Sequence, residues 1–365
     1  MAYTYFFTGF PGFLASHLID EIIHQGYPVD KIYLLYVKTT KKQAEASLQR
    51  LIKDSYLTED KFHLIEGDIT DPGLGIDEEI SAQLKNEVTH FFHLAAIYDL
   101  SVPLTPAWQV NVNGTRHVNE WVKQAENLER YIYYSTAYVS GKRSGIIYEN
   151  ELEHEAGFKN HYEYTKYEAE RLVQSVKHEV PTTIIRPGIV VGDSKEGTTA
   201  KFDGPYFILN MLAHMSYAPL LPYFGAGQVE VNLVPWDYVV RATIHLSHHN
   251  IGSGKTYHLT DPSPLTARAI YKLLAKSYLS KEPSFTVPLG WAGNTLKLPI
   301  FRKWLGMPRE ALDYFTCNSH YDASQALKDL ENTPIKCPDF TSIQEQLVKY
   351  YKANRKEPGK QVPIH

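Results

Sequence analysis

The chain has 365 residues, 43% hydrophobic and 21% charged, with 37 Lys and Arg against 41 Asp and Glu for a net charge of −4. That size and composition describe a folded globular protein that needs no metal or disulfide staple, and exclude a disordered chain or a basic nucleic-acid binder. Two cysteines, Cys317 and Cys337, lack paired spacing; this excludes a disulfide framework and a zinc site and fits a reducing compartment.

Along the chain, Met1–Phe7 is apolar, but no basic region precedes it and Gly9, Pro11 and Gly12 interrupt it. It therefore predicts a strand, not a signal peptide, and no apolar run is long enough to span a membrane. A cytoplasmic protein is expected. The first half alternates β-rich runs with amphipathic stretches, the pattern of an α/β fold with a parallel, doubly wound sheet. Strands are predicted at Tyr3–Thr8, Lys31–Val37, Phe62–Glu66, Val88–Leu94, Arg130–Ser135 and Thr182–Arg186. Helices are predicted at Phe13–Gln25, Lys41–Lys53, Pro106–Gln124 and Tyr162–Val176. The near-continuous apolar runs "KIYLLYV" and "HFFHLAA" suit strands buried on both faces. After Gly192 the rhythm changes. The stretch "GDSKEGTTAKFDGP" reads as a surface loop, a short strand follows at Lys255–Thr260, and the chain from Leu265 is mainly helical, broken at Pro288, Pro299, Pro308, Pro334 and Pro338. The expected layout is a nucleotide-type domain over residues 1–192, with 231–260 able to add elements to it. A smaller, mainly helical cap covers 193–365, with a flexible tail over 355–365.

The turn Thr8-Gly9-Phe10-Pro11-Gly12-Phe13-Leu14-Ala15 joins the first strand to the first helix. Gly9 permits a tight turn, Gly12 lets backbone approach a pyrophosphate at the helix N-terminus, and Ala15 allows close helix–strand packing. A nicotinamide site for NAD usually offers an acid about 20 residues further on. Here the second strand ends in Val37-Lys38-Thr39-Thr40-Lys41-Lys42, with no acid. The lysines instead suit a 2′-phosphate, so NADP(H) is preferred over NAD(H). Asp68 in "EGDITDP" can accept from an adenine amino group or serve as a turn aspartate. Leu94, Ala95 and Ala96 end the fourth strand with small residues where a cofactor can lie close.

Tyr-x-x-x-Lys occurs three times, at Tyr27–Lys31, Tyr138–Lys142 and Tyr162–Lys166. Only the third falls in a helical pattern, where i and i+4 share a face. An ammonium at Lys166 would lower the Tyr162 pKa and stabilise the tyrosinate. A hydroxyl from the strand end before it, Thr136 or Ser135, would hold a substrate oxygen while Tyr162 moves the proton.

The motifs "TGFPGFLA", "GDITD", "HLAA", "NVNGT", "YYSTAYVSG", "NHYEYTK" and "IIRPGIVVG" follow in the order of the extended short-chain dehydrogenases/reductases, which residues 8–192 resemble. The resemblance implies a Rossmann domain with a C-terminal substrate domain. Carried over by position, Thr136, Tyr162 and Lys166 match the catalytic triad, and Asn111 a motif position near it. Thr8, Gly9, Gly12, Phe13, Leu14, Lys38, Asp68, Ile69, Leu94, Ala95, Ala96, Asn111, Lys166, Pro187, Gly188 and Ile189 fall at cofactor positions. "TGFPGFLASHL", "GDITDPGLGI" and "NLVPWDYVVRA" look most like the fatty acyl-CoA reductase and thioester reductase (male-sterility-like) branch. That branch implies NADPH-dependent reduction of an acyl thioester to an aldehyde, sometimes on to the alcohol, with the thioester arriving on CoA or a separate carrier protein. Ala15 replaces the third glycine, and the arginine the branch often carries after the second strand is absent around Val37–Lys38. The resemblance also allows a homodimer through the helices at 106–124 and 162–176. A sugar-nucleotide epimerase or dehydratase shares this scaffold but commonly holds NAD behind an acid; a non-catalytic NADP(H) sensor usually loses the tyrosine or lysine.

Elsewhere, Asp237 reads as a first-turn helix acid and Asn232 as a residue of the active-site rim. "HLSHHN" at 245–250 reads as a solvated helix end, so no metal is expected. Pro205–Gly225 divides between an apolar acyl channel and core joining the two parts.

Overall fold

The computed structural model describes residues 2–288 and 318–362; Cys317, Pro299 and Pro308 lie outside them. Strand β1 (Tyr3–Thr8) is β-branched or aromatic at every position and buried from Thr4 onward. It lies in the interior of a seven-stranded sheet with β2 (Val29–Tyr36), β3 (Phe62–Glu66), β4 (His90–His93), β5 (Arg130–Tyr134), β7 (Thr182–Pro187) and β11 (Thr256–Leu259). The order is β11-β7-β5-β4-β1-β2-β3, and every pairing is parallel. The chain order reverses between β1 and β4, so the carboxyl ends of those strands open a crevice there.

Strand alternation sends neighbouring side chains to opposite layers. Tyr5 and Phe7 pack with Leu18, Ile19 and Ile22 of α1 (Phe13–His24) and with Val239 and Val240, which a later helix supplies. Phe6 faces the other way, onto Leu84 of α3 (Glu78–Glu87) and Trp121 of a helix described next. Phe7 stacks on Phe92 with centroids 4.5 Å apart. Each such ring, fully buried, contributes about 1.5–3 kcal/mol. On the β2 side, α2 (Lys41–Asp54) buries only Ala44 and Leu51 and keeps its charged face in solvent.

The predicted helix at 106–124 is composite. It begins as α4 (Leu104–Ala107), widens into a π-helical segment (Trp108–Asn113) and ends as α5 (Gly114–Val122). Helix α6 (His161–Val176) starts at Asn160, whose side chain accepts from the Glu163 N–H. The helix behind Val239 is α8 (Trp236–His248), reached after α7 (Tyr206–His214).

Beyond β7 the chain builds a second layer above the crevice. Short strands pair across distant segments: β6 (Gly145–Ile147) with β13 (Ser319–Tyr321), β8 (Ile189–Val191) with β10 (Leu233–Pro235), and β9 (Pro222–Phe224) with β12 (Phe285–Val287). Helices α9 (Ala267–Leu279) and α11 (Phe340–Asn354) close on α7 through Leu209, Leu212, Ile270, Leu274, Leu347 and Tyr351; α10 (Ser324–Leu330) packs on β11. The polar stretch after Gly192 is a loop, as read, but an ordered one: the Asp193 carboxylate accepts from the N–H groups of Lys195, Glu196 and Thr198. Residues after 355, expected to be flexible, return to that loop. Phe202 N–H donates to Lys360 O at 2.7 Å, and Lys360 Nζ to Thr199 O at 2.8 Å. No described helix is long and apolar enough to cross a membrane.

Candidate active site

A cleft of about 1590 Å³ runs along the carboxyl ends of β1 to β5 and β7 and under the second layer. Of the residues singled out in the sequence, Gly9, Gly12, Phe13, Leu14, Lys38, Asp68, Ile69, Leu94, Ala95, Ala96, Thr136, Tyr162, Lys166, Pro187, Gly188 and Ile189 all line it. Thr8 and Asn111 do not. Both are buried and act one step behind the wall. The Thr8 hydroxyl bonds to His93 Nδ1 at 2.8 Å and accepts from the N–H groups of Leu94 and Ala95. The Asn111 amide donates to Ile97 O and Thr165 Oγ1 and accepts from Ile97 N–H, tying the loop after β4 to α6.

The turn between β1 and α1 fits a dinucleotide. Gly9 has φ +84°, and a Cβ there would stand 2.8 Å from the Ala95 nitrogen, so only glycine brings the turn this close to the β4 end. Gly12 donates to Gly9 O at 2.7 Å, and a Cβ on it would stand 2.5 Å from that oxygen. Helix α1 then starts with no side-chain cap and no acid in its first turn, leaving its first N–H groups to the cleft at Phe13 and Leu14. At the end of β2 a short 3₁₀ turn (Lys38–Thr40) brings Lys38, Thr39 and Thr40 to the wall, with Gln43 and Ser47 beyond. Lys41 and Lys42 are exposed and off the cleft, so one lysine of the expected cluster reaches it. Asp68 is at the wall while its Oδ1 accepts from Thr70 N–H and Oγ1, which makes it the turn aspartate as well.

The Thr136 side chain caps a 3₁₀ turn (Ala137–Ser140) by accepting from Tyr138 N–H at 3.3 Å. It also hydrogen-bonds the Tyr162 phenol, which lowers that group's pKa; burial outweighs it and pushes the phenol up to about 12. The lowering expected from Lys166 is not seen. The reason is where the ammonium goes: Lys166 Nζ donates to Tyr134 O at 2.6 Å and lies 4.5 Å from the centre of the Tyr133 ring. Lys166 is 4% exposed, and burial takes its own pKa down to about 7, opposed by the Glu170 carboxylate. Ser135, the competing hydroxyl, donates to Glu170 Oε2 at 2.5 Å and is committed there.

Several readings outside the triad change. Asn232 is not a rim residue: it is buried, its amide pairing both ways with the Asp261 backbone. Asp237 sits in the first turn of α8 and accepts from Ser194 N–H and Oγ. His248 is not a solvated helix end. It stacks between Tyr27 and His90, at 4.0 and 4.7 Å, and bonds the Tyr5 hydroxyl at 2.8 Å. No group of three metal-ligating side chains occurs among the described residues, and burial pushes the Cys337 thiol up, away from nucleophile chemistry. Pro205, Phe207 and Ile208 line the cleft, whereas Leu209 and Leu212 join the core. Sequence reasoning missed Tyr98, Lys201 and Asp203 on the same wall, where Lys201 lies 5.4 Å from the Tyr98 ring and burial raises Asp203 to about 6. No local pattern marks them, because two distant loops bring them together.

The profile of a family described as male sterility protein matches residues 7–243. Over 273 residues the chain is 27% identical to the fatty acyl-CoA reductase wat of Drosophila melanogaster, covering 66% of this chain and 53% of that protein. Over 348 residues it is 25% identical to the alcohol-forming fatty acyl-CoA reductase of Simmondsia chinensis, covering 76% and 70%. The chain thus spans about half the length of the Drosophila relative. Among solved structures, the terminal R domain of the myxalamid PKS-NRPS biosynthetic pathway has the same fold, with a TM-score of 0.81 at 24% identity, covering 97% of this chain and 91% of that one.

Proposed function

The chain belongs to the male sterility protein family, and from that membership and the cleft we propose that it is an NADPH-dependent reductase of an apolar acyl thioester or of the corresponding aldehyde. The observation that carries the reading is the meeting of Thr136, Tyr162 and Lys166 with an uncapped helix N-terminus and Lys38 in one cleft. The fatty acyl-CoA reductases among its relatives support the substrate class, and the apolar wall of Pro205, Phe207 and Ile208 suits an acyl chain.

The cofactor supplies two electrons to the substrate carbonyl. The N–H groups at the start of α1 bind its pyrophosphate, and Lys38 with Thr39 and Thr40 binds a 2′-phosphate, with no acid at the β2 end to repel it. Lys166, as a cation, holds a ribose hydroxyl. Thr136 orients the carbonyl oxygen, and Tyr162 gives its phenolic proton to that oxygen as negative charge develops there. The balance for a thioester is one thiol and one aldehyde released per two electrons and two protons taken up, one proton arriving with the electrons and the other through Tyr162, with the thiol leaving on CoA or a carrier.

The test is consumption of NADPH and of NADH with a panel of fatty acyl-CoAs, fatty aldehydes and simple ketones. Oxidation of NADPH, and not NADH, with acyl-CoA is the expected result. Turnover of ketones alone, or of none of the panel by a chain that binds NADPH, overturns the substrate class.

A further inference from the structure

One buried ion pair beside the triad is not used by the mechanism above. Tyr162, Lys166 and Glu170 follow at four-residue spacing on α6 and share a face. Glu170 has no solvent exposure and Arg186 has 1%. Arg186 holds the carboxylate as a fork: Nη2 to Oε1 at 2.6 Å and Nε to Oε2 at 3.0 Å. The remaining guanidinium nitrogen, Nη1, donates to Glu149 O and bonds His258 Nε2. The second Glu170 oxygen also takes the Ser135 hydroxyl. Ser135 lies between Tyr134, whose carbonyl receives the Lys166 ammonium, and Thr136, which meets Tyr162.

We propose that Glu170 is a positioning residue for the proposed reduction, fixing the β5 end through Ser135 and supplying the negative charge that keeps Lys166 a cation. Arg186 in turn holds Glu170 ionised in a dry site. The groups facing Lys166 make this charge decisive. Tyr162 and Glu170 come from α6, Tyr133 from β5, His93 from β4, and Arg186 from β7 beyond Glu170. His93 is neutral, held down to about 3 by burial and by Lys166 itself, and burial raises both tyrosines. Glu170 is therefore the anion in that set. Burial lowers Lys166 to about 7 even with it in place, so losing that charge moves the lysine further toward the neutral amine.

The inference rests on the proposed reductase reading for its kinetic consequence, but its first test needs no turnover. The Lys166 ¹⁵Nζ resonance, assigned by its loss in Lys166→Met, is titrated in the whole chain and in Glu170→Gln. The expected result is a midpoint at least one pH unit lower in the variant, a tenfold smaller charged fraction at a given pH above it. An unchanged midpoint in a folded variant overturns the proposal. Because Glu170→Gln strands a buried guanidinium and can fail to fold, the double variant Glu170→Gln, Arg186→Met removes the pair together and must still shift the midpoint downward, by less than the single variant because a more distant cation leaves with the anion. Ser135→Ala keeps the ion pair and cuts only the strand anchor: it should leave the Lys166 midpoint in place and reduce kcat several-fold with the NADPH KM held. A kcat equal to wild type overturns the anchoring half. Should no substrate turn over at all, the reductase reading fails while the titration still decides the role of Glu170.

Discussion

At the scale of single residues, the tyrosine and the lysine of the cleft are predicted to fail in different ways. Tyr162→Phe removes the proton donor and leaves the cofactor's contacts intact, so kcat should fall about 10²- to 10⁴-fold while NADPH binding, followed by fluorescence, stays near wild type. A variant that turns over normally would show that Tyr162 is not the donor. Lys38→Glu replaces a cation by an anion at the end of β2. A charge-assisted bond to phosphate contributes about 1.5–3 kcal/mol, so the NADPH KM should rise about 10- to 100-fold, and the NADH KM should not. Equal changes in both would mean that Lys38 does not touch a 2′-phosphate. How much of this was legible in the sequence depends on locality. Tyr162 and Lys166 stood out because helical spacing separated them from Tyr27–Lys31 and Tyr138–Lys142, whose turn and proline contexts cannot align the side chains. The direction of the Tyr162 shift did not, because it follows from burial and from the Lys166 bond to Tyr134 O, and both are products of the sheet. The commitment of Ser135 to Glu170 was hidden for the same reason: 35 residues separate them.

At the scale of elements, the turns do the positioning and their residues have little freedom. Gly9→Ala adds a Cβ at φ +84° against the Ala95 nitrogen, which pushes the β1–α1 turn away from β4. NADPH affinity should be lost before the fold is, a difference that fluorescence binding and circular dichroism together resolve. Asn111→Ala tests the π-helical segment. It leaves Ile97 N–H and O without these partners in a half-buried position and should cost about 0.5–1.5 kcal/mol per lost bond in urea unfolding. A change under half of that would mean that Ile97 finds other partners. Local propensity foretold β1 and β3 to the residue, since apolar and β-branched runs bounded by turns carry their own ends. It failed at α3, where Ser81 and Leu84 are the buried side chains of a polar helix, too few to set a period. It also read α4, the π segment and α5 as one helix, because the widening at Asn111 is imposed by tertiary bonds to Ile97 and Thr165. The three-residue strands of the second layer pair across gaps of up to about 170 residues, and nothing local announces them.

At the scale of the molecule, the sheet buries imidazoles where acid can undo it. Among the described residues, His93 and His258 are held near 3, His17 and His248 near 4, and His90 well below the ordinary 6.5, all chiefly by burial. In the unfolded chain each takes up a proton as pH falls through 6.5; in the folded chain each stays neutral until far lower. The unfolded state therefore binds more protons across that window, and stability must fall as pH falls, by about 1.4 kcal/mol per pKa unit per fully responding group. Carboxyls raised by burial work the other way. Glu149, near 7, and Asp203, near 6, bind protons in the folded state first, and Asp20 and Asp261 shift in the same direction. Five imidazoles stand against two carboxyls raised that far, so the imidazoles set the sign. The Tm should decrease steadily from pH 7 to pH 5 in a calorimetric scan. His248→Phe keeps an aromatic ring between Tyr27 and His90 while removing one protonation site and the bond to Tyr5. It should lower the Tm at pH 7.5 and flatten the slope toward pH 5. A Tm that rises on acidification would mean that the buried carboxyls, and not the imidazole stack under β1 and β4, govern how this sheet responds to protons.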